Sequence, residues 1–156
     1  MRIIKFRGKD ATGRKGWVYG DLVHNQRVTK TGLEPRVMVG GYEVIPETVG
    51  QFTGLLDNHG KKVFEGDIVK RISVDSDSSK NYDCGFVIFD DGDASFKLSM
   101  YKCVFNGRNI GLLEDDDDVT CNFVTNVVYD GQTPQEDEYF YEVIGNTYDN
   151  PEFLNE

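Results

Sequence analysis

Three aspartates around one glycine, Asp90, Asp91 and Asp93 flanking Gly92, are the most compact set of groups in this sequence that could hold a divalent cation. A turn gathers neighbouring carboxylates on one side of the chain, and hard cations such as Mg²⁺ and Ca²⁺ take oxygen ligands. The same residues serve as the charged tip of a hairpin, where they discourage pairing with a foreign strand. The tip is the preferred reading, so no metal is expected. Residues 114–118, EDDDD, offer five further carboxylates, but successive residues of an extended segment point to opposite sides, and the spacing of a calcium loop is not met. A solvated acidic loop accounts for them.

Nucleophilic chemistry has little to draw on. His24 follows a strand, His59 lies inside a turn, and neither is near a serine or cysteine in a recognised pattern. Cys84, Cys103 and Cys121 are far apart with no CxxC pair, which argues against a disulfide framework or structural zinc and for reduced thiols. GxSxG, HExxH, GxxxxGK[ST] and GxGxxG are all missing. No catalytic residue and no cofactor are expected.

The elements that would position any site are strands. Residues 49–70, VGQFTGLLDNHGKKVFEGDIVK, read as strand, turn, strand and turn: Asp57-Asn58-His59-Gly60 supplies the residues that hairpin turns demand, and Gly66-Asp67 a second reversal. Gly66, with no Cβ to clash, suits a sharp corner between the halves of a small barrel. Upstream, residues 3–7 read as an opening strand and 16–24 as its partner, with Trp17 close to Gly20 where another strand packs tightly. Residues 30–35 read as a loop, 36–39 and 42–45 as strands, and Pro46 as the start of a short helix over 47–49. Downstream, 75–81 is a polar loop, 85–89 and 94–98 form a hairpin, 101–105 extends it, 106–107 and 109–112 make a connection, 122–129 is a strand, 132–138 a polar loop, and 139–146 closes the sheet. Asn150-Pro151-Glu152 signals one terminal helical turn.

Val18-Tyr19-Gly20-Asp21-Leu22, Pro46-Glu47-Thr48-Val49-Gly50-Gln51-Phe52-Thr53-Gly54-Leu55, Glu65-Gly66-Asp67-Ile68-Val69 and Tyr141-Glu142-Val143-Ile144-Gly145-Asn146 together resemble the YopX-like phage protein family. The likeness runs from Met1 to about Leu154, with residues 99–138 free of motif residues and reading as a variable insertion. It implies phage or prophage origin in Gram-positive bacteria and a mainly β fold: a small barrel like the Src-homology-3 domain with an additional N-terminal β lobe and only short helical turns. The sub-lobes would be residues 1–56 and 57–156. The family brings no established catalytic residues. Trp17, Gly20, Pro46, Gly54, Gly60, Gly66, Asp67 and Gly145 are read as structural.

With 156 residues the chain can bury its own core, and aromatics (18 Phe and Tyr besides Trp17) can do much of the packing. Its net charge of −10 supplies no long-range attraction to nucleic acid or anionic lipid. The charge is unevenly spread, basic through residue 31 and acidic over 113–142, so a basic end can meet an acidic one in the same chain or a neighbour. The start, MRIIKFRGKD, has neither an h-region nor a membrane-length apolar run, which predicts a cytoplasmic protein inside the host.

Tyr139, Phe140, Tyr141, Tyr148 and Phe153 crowd the final stretch. Core packing claims most of them, while Tyr139, Tyr141, Tyr148 and Phe153 are the residues an interface would use. The reading is therefore a non-catalytic module that binds a protein partner, with a homo-oligomer open and neither nucleic-acid nor membrane binding expected. Two alternatives stand beside it: an acidic mimic of nucleic acid occupying a host protein, and a metal-assisted hydrolase using Asp90, Asp91 and Asp93.

Overall fold

The structure, a computed structural model, describes residues 3–73, 81–109, 120–122 and 139–154. It is nearly all β, with a curled half-barrel sheet of the kind expected of a small barrel, and the one helical piece among the described residues is a 3-10 turn at Pro151–Leu154, where the Asn-Pro-Glu signal put it. The chain makes two compact units, one comprising Met1–Leu55 and Lys62–Glu65, the other Leu56–Lys61 and Gly66–Glu156.

The first unit holds β1 (Phe6–Asp10), β2 (Trp17–Gly20), β3 (Leu22–Thr29), β4 (Gly32–Val39), β5 (Tyr42–Leu56) and β6 (Lys62–Phe64). Their order is β2-β1-β5-β4-β3, with β6 also on β5. Val18, Val39 and Val44 form the buried centre, and Phe6, Leu22, Val37 and Val49 pack on it.

Several local expectations are corrected here. The opening strand begins at Phe6 and runs on to Asp10. The stretch 16–24 breaks at Asp21 into β2 and β3, because the chain leaves β1 and takes β4 as its neighbour. At that break a Cβ on Gly20 would lie 2.6 Å from Gly40 Cα. Only a bare backbone fits there.

Residues 30–35 are not a loop: a two-residue turn at Lys30 and Thr31 joins β3 to β4, which contains Pro35 opposite Gln26. Proline is tolerated there because β4 pairs with β5 only at Met38 and Val39, leaving the Pro35 position on an open edge that needs no N–H. No helix starts at Pro46 either. β5 runs through it, and the register with β1 jumps from Arg7↔Gly50 to Lys9↔Ile45, so residues 46–49 bulge opposite Gly8. Thr48 organises the bulge, its hydroxyl accepting the Lys9 N–H at 2.8 Å and donating to the Ile45 carbonyl at 2.6 Å. A proline that cannot donate to the ladder and a side chain that replaces a backbone acceptor make a bulge cheaper than a helical turn.

The β3–β4 hairpin is paired from Leu22↔Val39 to Thr29↔Gly32. One face carries Leu22, His24, Gln26 and Val28 with Val39, Val37, Pro35 and Leu33 opposite them; the other has Val23 opposite Met38 at its base and polar residues beyond, in the pairs Asn25↔Arg36 and Arg27↔Glu34. Arg27 bridges Glu34 at 3.1 Å and Glu43 at 3.2 Å, and Arg36 Nε donates to Asn25 Oδ1 at 2.7 Å. Val39 is fully buried at the base, whereas Val28 and Leu33 at the far end are 85% and 62% exposed.

The second unit contains β7 (Asp67–Ser73), β8 (Tyr82–Asp90), β9 (Ser95–Phe105), β10 (Arg108–Asn109), β11 (Thr120–Asn122) and β12 (Tyr139–Asn146). Their order is β10-β9-β8-β7-β12, with β11 also on β9. Ile68, Val69, Val87, Leu98, Met100, Val104 and Val143 are buried along it. Gly66 makes the corner into β7 with φ 80°, donating its N–H to the Val87 carbonyl and accepting the Thr147 N–H, both at 2.9 Å. Asp67 beside it is 1% exposed. Where sequence suggested a plain connection after residue 106, Asn106 and Gly107 turn the chain so that β10 pairs back on β9. The 75–80 part of the polar loop, the acidic run 114–118, the strand expected over 122–129 beyond Asn122, and the loop 132–138 lie outside the described residues.

Candidate functional site

The acidic hairpin tip forms between β8 and β9, and the turn does draw Asp90 and Asp93 together. The Asp90 carboxylate accepts the N–H groups of Gly92 at 2.8 Å and Asp93 at 3.2 Å. Lys97 Nζ donates to it at 2.7 Å and also to the Asp93 carboxylate, from a side chain only 12% exposed. The Lys97 ammonium first, and then the two amides, hold the Asp90 carboxyl below its ordinary value, while Asp90 and Asp93 raise Lys97. An internal cation thus sits where a divalent one would. Asp91 is exposed, and among the described residues no three His, Cys, Asp or Glu side chains are grouped to hold a metal.

A second polar cluster lies at the turn that follows β5. Asp57 is buried; its Oδ1 accepts the N–H of His59 at 2.9 Å and of Lys61 at 2.8 Å, and its Oδ2 accepts the Val143 N–H at 3.2 Å. The Asn58 N–H donates to the Tyr141 carbonyl at 2.9 Å. β12 pairs with β7 on its other side, so this turn covers the outer edge of β12 over Tyr141 and Val143. Burial pushes the Asp57 carboxyl up, but the amides of Lys61, Val143 and His59 outweigh it and leave the group below its ordinary value. The arrangement ties backbone together, and its polar groups are spent on amides. His59 is exposed, with Nε2 3.8 Å from Glu142 Oε1. His24 is exposed on β3. Cys84 is a buried free thiol whose pKa burial raises, which suppresses the nucleophilic thiolate; the side chains of Cys103 and Cys121 lie outside the described residues.

Trp17 serves packing: the Arg7 guanidinium lies 4.7 Å from its ring centroid and 5.1 Å from that of Phe64, and Arg7 Nη2 donates to the Glu65 carbonyl at 3.1 Å. Gly54 within β5 and Gly60 in the Asp57 turn have φ of 94° and 79°. At Gly145 a Cβ would meet the Asn150 side chain. Pro46 lies in the β5 bulge.

The aromatic stretch divides. Tyr139 is half-buried beneath Arg71, whose guanidinium carbon lies 4.6 Å from the ring centroid, and Tyr141 and Phe153 are also half-buried. Phe140 and Tyr148 are 48% and 42% exposed. Strand alternation puts Phe140 on the face opposite Tyr139 and Tyr141, together with Glu142. Sequence reasoning missed Asp57 as an anchor, although an Asp opening a turn of the form Asp-Asn-His-Gly is a side chain suited to bonding amides two residues on. Nothing local could have pointed to Val143.

Fold and sites together define a nearly all-β protein in which the two polar clusters described, at Asp90 and at Asp57, are occupied by its own lysine and amides. The chain belongs to the YopX protein family, whose pattern it matches over residues 5–155. Among solved structures it is similar to protein EF1440 from Enterococcus faecalis, at 21% identity over 99% of each chain and a TM-score of 0.47. No curated protein matches it. No helix among the described residues is long and apolar enough to cross a membrane.

Proposed function

We propose that this chain is a phage or prophage accessory protein that works in the host cytoplasm by binding other proteins, without catalysis or a cofactor. The observation that carries this reading is the set of large apolar side chains left at the surface: Val28, Leu33 and Phe140 on strands and Tyr148 in the turn after β12, each at least 42% exposed. Interfaces are enriched in aromatic residues at their cores, and an apolar group held rigidly on a strand loses little freedom when a partner covers it. The hydrolase alternative has Lys97 against it, since its ammonium is already paired with both Asp90 and Asp93.

Charge favours a second reading. The second unit carries seven Lys and Arg against 21 Asp and Glu, a net of −14, which suits an acidic mimic of nucleic acid. Capture of host proteins from a bacterial lysate at low and high salt, followed by mass spectrometry, separates the two. A partner retained at high salt and lost on Phe140→Ser or Leu33→Ser supports the protein-binding module. A basic nucleic-acid-binding protein released by salt supports the mimic. Failure to retain any partner in repeated captures, host protein or added second copy of this chain, would sink both.

A further inference from the structure

The β3–β4 hairpin is an amphipathic arm with its apolar face uncovered. Beyond Met38 and Val39, β4 pairs only with β3, so the far part of the arm is two strands wide. Its polar face is satisfied within the unit by the Arg27–Glu34, Arg27–Glu43 and Arg36–Asn25 contacts. Its other face ends in the cross-strand pair Val28↔Leu33 followed by Gln26↔Pro35, all exposed. A two-stranded ribbon is marginal in water unless one face is packed, and here packing by the described core stops at Val37 and Val39.

Charge selects what covers the rest. The arm carries Arg27, Lys30 and Arg36 against Glu34, and the first unit as a whole has ten Lys and Arg against six Asp and Glu, a net of +4. Two arms would repel each other. A partner both apolar and acidic complements the arm, and the second unit of every copy, with its net charge of −14, offers apolar groups at its surface: Phe140 exposed on β12, on the face where Glu142 stands opposite Lys70 of β7, with Tyr148 and Asp149 exposed after the strand.

The geometry points to head-to-tail self-association, in which the Val28–Leu33 face of one copy's arm seats on the exposed Phe140 face in the acidic second unit of another copy. This rests on the protein-binding reading and names the partner. Such a contact is heterologous: the first pair keeps one arm and one receiving face free, which either meet each other in a reciprocal dimer or take up further copies into rings or chains.

Analytical ultracentrifugation of the full chain over a range of concentrations tests it. The mass should rise above the monomer with concentration at high salt as well as low, salt only moving the rise to higher concentration. Val28→Glu with Leu33→Glu should be monomeric, as should Phe140→Ser, each with an unchanged melting temperature. An equal mixture of the two variants should form dimers and nothing larger, because one intact arm then meets one intact receiving face. A monomer at every concentration overturns the proposal, as does a mixture that stays monomeric or an assembly indifferent to the arm substitutions. If the chain is monomeric but the arm variant loses a lysate partner, the occupant is a host protein; self-association then falls while the protein-binding reading survives.

Discussion

Asp57 and Val143 stand 86 positions apart, yet the carboxylate of one accepts the amide hydrogen of the other at 3.2 Å inside the second unit. The same carboxylate folds the turn that precedes β6, so a local reversal and a strand edge share one side chain. Asp57→Ala should cost about 1–3 kcal/mol, chiefly from the buried Val143 N–H left without an acceptor, since His59 and Lys61 can turn to water. Asp57→Asn keeps an oxygen for the turn but can turn its amide toward Val143, donor facing donor, and should fall between wild type and alanine. Urea denaturation of the three proteins decides; equal midpoints would remove Asp57 from the list of anchors.

Acid should act through the same group. Asp57 has a folded pKa below its ordinary value of 3.8, so its contribution is complete above that value and is lost as pH falls through the lower, folded one. Stability measured from neutral pH downward should therefore drop less steeply below pH 3.8 in Asp57→Asn than in wild type. Identical acid limbs in the two proteins would contradict the shift.

Gly20→Ala, in the first unit, should destabilise the protein more than Gly60→Ala, in the second. The first puts a methyl 2.6 Å from Gly40 Cα, a backbone clash that must move a strand, for about 1–3 kcal/mol. The second meets open space at φ 79° and costs only the left-handed conformation, about 1–2 kcal/mol. Thermal unfolding of both variants gives the ranking, and a reversed order refutes the close approach.

Thr48→Val should unlatch the bulge in β5 by removing the acceptor of the Lys9 N–H and the donor to Ile45. A loss of about 1–3 kcal/mol is expected, together with faster hydrogen exchange at Lys9. Exchange at Lys9 as slow as in wild type would mean that another acceptor serves it.

Lys97→Met should release the acidic tip. The Asp90 carboxyl, now held low first by that ammonium, should titrate at a higher pH in an NMR experiment on the variant. An unmoved Asp90 would show that the Gly92 and Asp93 amides suffice. Calorimetry with Mg²⁺, Mn²⁺ and Ca²⁺ on wild type should give no heat that the Asn variants of Asp90, Asp91 and Asp93 lose.

What could be read from the sequence was whatever is decided within about ten residues. Asp57 to Gly60, the corner at Gly66, the tip at Asp90 to Asp93 and the terminal turn after Asn150 all carry their own turn chemistry, and the structure puts reversals at each. Pro35 and Pro46 misled because proline is a strong local breaker, whereas its fate in a sheet depends on whether a neighbour needs its N–H. That neighbour is set by strand order. The break at Asp21 was hidden for the same reason, since both halves are good strand sequence and only the change of partner separates them. The tip aspartates were legible as a cluster, but Lys97 was legible as their counter-ion only once β9 had been folded back.

The path of β5 and β6 has a consequence for inheritance. Because Leu56–Lys61 belongs to one unit while Lys62–Glu65 returns to the other, the chain passes between units at three points, and neither unit is encoded by one uninterrupted stretch. A single recombination junction cannot transfer either unit whole. Exchange between related genomes should therefore move the two as one cassette, leaving variation to insertions within loops rather than to the shuffling of halves.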